Sequence, residues 1–256
     1  MPFHPIKSEK LSTAVVGQIE LLILRGILRP GERLPAEREL AERLDVSRPS
    51  LRDAIGTLQD QGLLAARAGA GVYVADVLGS AFSPALIQLF ARHDAAVFDY
   101  LAFRRDIEGL AAARAARHAS DTDLKLVQTL FDKMEVAHTK RSPEDEAQLD
   151  AQFHMAIVES SHNVVMLHMM RSMFELLREG VFYNRQVMFR QRTTRSALLD
   201  QHRQINTALQ TRDAQAAQTA VEAHLSFVEE ALRDHLKALA NEEVARQRLN
   251  RELAKN

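Results

Sequence analysis

Apolar positions in the first third of the chain recur at helical spacing and then give way to short extended runs. From Ser8 to Leu28, the residues Leu11, Val15, Ile19, Leu22 and Ile23 fall close to a 3.6-residue period. This predicts a helix that stops before Arg29-Pro30-Gly31. Pro35 opens a short helix over Ala36 to Leu44, and Asp45-Val46 makes a tight turn. Ser47 is an N-cap, and Pro49 stands in the first turn, where its missing N–H has no helical partner to lose, so a third helix is predicted from Arg48 to Gln61. Gly62 ends it. Leu63–Arg67 and Val72–Ala75 flank Ala68-Gly69-Ala70-Gly71, the pattern of a β-hairpin. Two helices joined by a short turn and followed by a hairpin describe a winged helix-turn-helix.

From about Gly79 the strand signals vanish, and long segments rich in Ala, Leu, Glu, Arg and Gln repeat with helical spacing. Breaks fall at His93-Asp94, Ser120-Asp121, Ser142-Pro143, His162-Asn163, Arg192-Thr193-Thr194 and Arg212-Asp213, several of them capping residues. Six or seven helices result, packed as an antiparallel bundle. After Lys237 the apolar stripe is lost and the chain turns strongly charged, which reads as a solvated or frayed helix. The expected organisation is mainly α: a winged domain over residues 1–78, a linker helix over 79–94, an all-helical domain over 95–238 and a charged tail over 239–256.

Composition narrows the chemistry. At 256 residues and 46% hydrophobic content the chain can build two cores. Cysteine is absent, which excludes disulfides, thiolate nucleophiles and Cys-ligated zinc and leaves His and carboxylates as strong metal ligands. No apolar run approaches the roughly 18 residues of a membrane span, and the start of the chain lacks a signal-peptide core, so a cytoplasmic protein without membrane partners is expected. Residues 1–78 hold ten Lys/Arg against ten Asp/Glu. Bulk charge therefore gives no support for nucleic-acid binding, and any such role must rest on where particular arginines stand.

Guanine edges in the major groove are read best by arginine forks, and phosphates are held by hydroxyls and backbone N–H groups. Ser47-Arg48-Pro49-Ser50-Leu51-Arg52 puts both kinds on the first turn of the third helix, the recognition position of the motif, and Arg38 on the preceding helix could reach the same groove. The alternative is a set of solvated helix-surface arginines. Residues 31–75, from Gly-Glu-Arg-Leu-Pro-Ala-Glu-Arg-Glu-Leu-Ala through Val-Ser-Arg-Pro-Ser-Leu-Arg-Asp-Ala to the Gly-containing hairpin, closely resemble the GntR family of regulators. The resemblance implies that Arg38, Arg48 and Arg52 contact DNA, that Ser47 and Ser50 touch phosphates, and that the wing around Gly69 approaches the minor groove. Ala36 stands where the family usually has Ser. Ala68 and Ala70 stand at wing positions that are often basic or Gly.

In the second domain, ionisable residues interrupt apolar stripes, where each asks for a partner. One stripe reads Ala147, Asp150, Phe153 with His154, and Ile157, which puts Asp150 and His154 one turn apart on one face. A second reads Leu198, His202, Ile205, Leu209, and a third Ala217, Ala220 with Val221, His224, Val228. One carboxylate and three imidazoles converging in a bundle suit a divalent ion, Zn²⁺ foremost, with Ni²⁺, Mn²⁺ or Fe²⁺ as alternatives. The competing reading is separate, hydrogen-bonded core histidines.

From about Val97 to Leu236 the chain also resembles the all-helical FCD ligand-binding domain of the FadR-type GntR subfamily, and the segments around Asp150, His154, His202 and His224 match its metal-ligand pattern in order. His162 and His168 fall outside that pattern, at a helix junction and in packing. Arg104 matches an arginine near the effector pocket, where it would grip a carboxylate, its alternative being an i,i+4 salt bridge to Glu108. The segments Phe153–Asn163 and His224–Val228 look most like regulators answering to lactate, glycolate or pyruvate. The resemblance thus implies a homodimer on an inverted-repeat operator of double-stranded DNA, switched by a small carboxylic acid. A metal-dependent hydrolase would need a general base, for which Glu108 and Glu159 are the candidates. In a third reading the helical domain only dimerises.

Overall fold

The computed structural model describes residues 11–67, 69–75, 83–178 and 192–254. The chain divides into two compact units, Met1–Ala81 and Phe82–Asn256. Ser8, Ala68 and the first part of the expected linker, residues 79–82, lie outside the described residues.

In the first unit α1 spans Leu11–Leu24, α2 Glu37–Leu44 and α3 Arg48–Asp60, and β1 (Leu64–Arg67) pairs antiparallel with β2 (Gly71–Val74). α1 ends four residues before the expected Leu28. Gly26, at φ +71°, takes the left-handed conformation that lets the Ile27 and Leu28 N–H groups return to the Leu22 carbonyl. The three helices close on a core of Ile19, Leu51, Leu58, Leu64 and Val74 among others. Ser47 caps α3 by accepting from the Ser50 N–H, and Pro49 sits in the first turn. Gly69 turns the hairpin at φ +69°. Sequence periodicity missed a third extended piece: Arg33 bridges Tyr73, with Leu34 N–H donating to Val72 and Val74 N–H to Glu32. A bridge this short is too brief to show alternation.

The second unit contains seven helices among the described residues: α4 Pro84–Arg92, α5 Asp94–His118, α6 Asp121–Lys140, α7 Pro143–Ser160, α8 Val164–Arg178, α9 Arg192–Gln210 and α10 Ala214–Leu253. Ser83, Ser120, Ser142 and Asp213 cap α4, α6, α7 and α10 through their side-chain oxygens, and Ser120 forms a reciprocal capping box with Asp123. His93, extended at φ −125°, separates α4 from α5. The second half of α5 is lined with buried Ala111, Ala112, Ala115 and Ala116, so α10 packs closely along it. At the tightest point a Cβ on Gly109 would stand 3.1 Å from the Glu222 side chain. α6, α7, α9 and α10 contribute Phe131, Phe153, Ile205 and Val221 to one core cluster with α5, and α8 adds Met170 and Phe174 to a second. The buried stripe of α10 ends at Leu232, and the charged tail continues the same helix in solvent. No helix of the described residues is long and apolar enough to cross a membrane.

Candidate metal centre and DNA-reading surface

Four of the ionisable residues singled out by the sequence meet inside the second unit. Asp150 and His154 project from one face of α7, His202 from α9 and His224 from α10, and all four are buried. The three imidazoles point their Nε2 atoms at one another: His154 to His224 3.2 Å and His202 to His154 3.3 Å. Asp150 Oδ1 lies 3.1 Å from His202 Nε2 and 3.7 Å from His154 Nε2. Ligand atoms about 2.0–2.2 Å from a shared ion stand roughly 3–3.5 Å from one another in tetrahedral or octahedral geometry. Three of these separations fall in that range, the Asp150–His154 one is longer at 3.7 Å, and all four donor atoms lie within 4.8 Å of one another, so the group could hold a divalent ion. Phe153 walls the cluster, its ring edge-on to His154 and His202 at 6.0 and 5.4 Å between centroids.

The opposite ring nitrogens explain why Nε2 faces inward. His154 Nδ1 lies 2.7 Å from Glu108 Oε2, and His224 Nδ1 lies 3.0 Å from Gln201 Oε1. With Glu108 and Gln201 on the Nδ1 side of the two rings, both Nε2 atoms are left facing the cluster, where a cation could take their lone pairs. His202 Nδ1 is buried and has no such acceptor among the described residues. Burial pushes the His154 imidazole below its usual pKa despite the pull of Glu108. His224 is driven further down by burial and by the neighbouring His202 and His154. Buried imidazoles beside one carboxylate fit a first-row divalent metal: a tetrahedral zinc would use all four donors, an octahedral ion would leave two positions open.

Arg104 is 2% exposed and donates from Nε to Glu108 Oε1 at 2.6 Å, with its guanidinium 5.0 Å from the Phe174 ring centroid. Glu108 therefore serves both Arg104 and His154. Burial alone would raise its carboxyl, but the Arg104 charge and His154 outweigh that and hold it at about 2. Glu108 is committed to Arg104 and His154, and Glu159 is paired with Arg171 at 2.7 Å. His162 sits in the turn between α7 and α8, paired with Asp123 at 2.9 Å, and His168 is half-buried on α8. Glu108 as partner of His154, and Gln201, escaped sequence reasoning. Their signal was present: Glu108 lies in the buried stripe Leu101, Arg104, Glu108, Ala111.

In the first unit Arg48 and Arg52 lie along α3 and Arg38 on α2, all solvent-exposed. Glu37, at the start of α2, accepts from Arg52 Nε at 2.8 Å and lies 3.8 Å from Arg48. Arg38 is 3.8 Å from Glu42. Ser47 and Ser50 hydroxyls are hydrogen-bonded at 2.9 Å on the same exposed turn. Glu37, not anticipated, bridges Arg48 and Arg52.

Residues 11–74 match the bacterial regulatory proteins of the gntR family, and residues 99–227 match the FCD domain. The chain is 36% identical over 223 residues to the protein named as the L-lactate dehydrogenase operon regulator of Escherichia coli strain K12, covering 86% of this chain and 85% of that one. It is 31% identical over 224 residues to the Glc operon transcriptional activator of the same strain, covering 86% and 88%. A solved structure of a GntR protein from Streptococcus agalactiae superposes with a TM-score of 0.52 at 25% identity, covering 86% of this chain and 99% of that chain.

Proposed function

Since the chain belongs to the GntR family of bacterial transcription regulators and carries an FCD domain, we propose that its affinity for an operator is set by a small 2-hydroxy or 2-oxo acid bound at a metal centre in the helical unit. The convergence of Asp150 Oδ1 with three histidine Nε2 atoms in a buried site is the observation that carries this reading. The metal, Zn²⁺ or another first-row divalent ion, would be held by Asp150, His154, His202 and His224. Bound there with two coordination positions beyond the four protein donors, it would supply a Lewis-acid site that adjacent oxygens of such an acid can chelate. Arg104, one carboxylate removed from His154, is the cation for the acid's charged end. Lactate is the first acid to try, because a relative carries an L-lactate dehydrogenase operon in its name; glycolate and pyruvate share the chelating pattern.

In the winged unit, Arg38, Arg48 and Arg52 read base edges, Ser47 and Ser50 hold phosphates, and the Gly69 wing lies along the minor groove. A homodimer reads two inverted half-sites in the cytoplasm, and the acid shifts its balance between binding-competent and incompetent forms. Metal analysis of untagged protein purified without chelators, followed by gel shifts with lactate, glycolate and pyruvate, tests both halves of the proposal. Near-stoichiometric metal, lost in Asp150→Ala and His202→Ala, is expected together with an altered operator affinity for one acid. Metal-free wild type, or operator binding indifferent to all three acids, would overturn it.

A further inference from the structure

A second buried charge cluster stands one helical turn from Asp150 on α7 and about two from His202 on α9, and is used by neither DNA reading nor metal binding. Glu146 on α7 and Arg195 on α9 are 5% and 8% exposed. Arg195 grips Glu146 with two nitrogens: Nε donates at 2.9 and 3.1 Å, and the terminal nitrogen binds Oε1 as well. That terminal nitrogen also donates to the His138 carbonyl at the end of α6, at 2.7 Å.

Burying an ion pair is costly, and an apolar pair of the same volume commonly does as well for stability, so the register such a pair enforces is one candidate reason for its presence. Here the register matters. α7 and α9 each pack on α6, and long side chains bridge them to each other at two levels. Glu146–Arg195 is one level; Asp150–His202, at 3.1 Å, is the other. On α7 the two levels are four residues apart, about 6 Å along the axis. A slide or rotation of α9 that broke the first bridge would also carry His202 away from Asp150.

We propose that Glu146 and Arg195 are positioning residues for the metal centre, locking α9 to α7 and α6 so that His202 meets the ligands on α7 and α10. This rests on the metal reading of the Asp150 cluster. The test uses the full-length chain stripped of metal and titrated with Co²⁺ against a chromophoric chelator, with the visible band reporting coordination. Glu146→Gln and Arg195→Met should each weaken Co²⁺ binding about ten- to a hundredfold, the range for residues that orient metal ligands, and should change the band. Arg195→Lys should fall between. The double variant Glu146→Met/Arg195→Met should recover thermal stability but not Co²⁺ affinity, which separates positioning from simple support of the fold. Wild-type affinity and spectrum in the double variant would overturn the proposal alone, provided His202→Ala loses Co²⁺. A double variant that does not fold would overturn it too, since the pair would then be a stability element. Wild type that takes up no Co²⁺ would overturn the metal reading and this inference with it.

Discussion

Glu108 joins Arg104 to His154: one carboxylate oxygen accepts from the guanidinium at 2.6 Å and the other lies 2.7 Å from His154 Nδ1. Arg104 and a residue of the candidate metal cluster are therefore coupled through a single side chain. Replacing Glu108 with Gln removes the charge that balances a buried guanidinium and presents an amide N–H to one of two donors. We expect a loss of about 3–5 kcal/mol in stability, as for other broken buried pairs. Metal affinity should fall about ten- to a hundredfold. Chemical denaturation and chelator competition measure the two effects; wild-type metal affinity in a folded Glu108→Gln protein would show that His154 needs no such partner.

The same pairings fix how the metal-free protein responds to acid. His154 and His224 have folded-state pKa values below the ordinary 6.5, because burial disfavours their charged forms. Between those values and 6.5 the unfolded chain binds more protons than the folded one, so stability is full above about 6.5 and declines as pH falls. Glu108, held at about 2 against an ordinary 4.5, adds a second decline below 4.5 that continues to about 2. Thermal melts of chelator-treated protein should show a falling midpoint as pH goes from 7.5 to 5.5, and the His154→Asn/His224→Asn variant should flatten that slope. A midpoint that rises over this range would contradict the neutral, buried assignment.

Metal binding should be visible as stabilisation. A ligand at about a hundred times its Kd stabilises the folded state by roughly 2.7 kcal/mol. For a unit of this size that corresponds to a rise in melting midpoint of about 5–11 °C. Zn²⁺ added to metal-free wild type should produce such a rise, and Asp150→Ala should abolish most of it. An equal rise in Asp150→Ala would place the ion elsewhere.

Much of this arrangement was legible in the sequence because it follows local periodicity. Asp150, His154, His202 and His224 each replaced an apolar residue in a helical stripe, and the stripes fixed which face each would occupy. Ser47, Ser120, Ser142 and Asp213 marked helix starts where their side chains now cap. Other features depend on which helices become neighbours, and no local pattern encodes that. Glu108 was readable as a partner for Arg104 at i+4, yet its second partner His154 is 46 positions away, and Arg195 finds Glu146 across 49. The Arg33–Tyr73 bridge was hidden because it is too short to show alternation. Net charge misled in the other direction: the first domain is neutral because acidic residues such as Glu37 and Glu42 stand beside its exposed arginines Arg48, Arg52 and Arg38.

Glu37 leads to a prediction about DNA. Its carboxylate accepts from Arg52 Nε at 2.8 Å and lies 3.8 Å from Arg48; under the proposed DNA-reading role it would aim two flexible forks while placing a negative charge close to the phosphates. Removing that charge should help binding to any DNA sequence, whereas releasing the forks should weaken discrimination at the bases they read. A well-placed bidentate arginine is worth about 1–3 kcal/mol of discrimination, and losing its orientation should forfeit part of that. In Glu37→Gln the ratio of operator to random-sequence affinity should fall by up to about tenfold while non-specific binding strengthens. Arg52→Ala should lose operator affinity by about 1–3 kcal/mol and relax specificity at one position. Fluorescence anisotropy at two salt concentrations, with a selected operator and a scrambled duplex, resolves both. If Glu37→Gln keeps the wild-type ratio, the carboxylate is a bystander on the helix surface and the arginines orient on DNA without it.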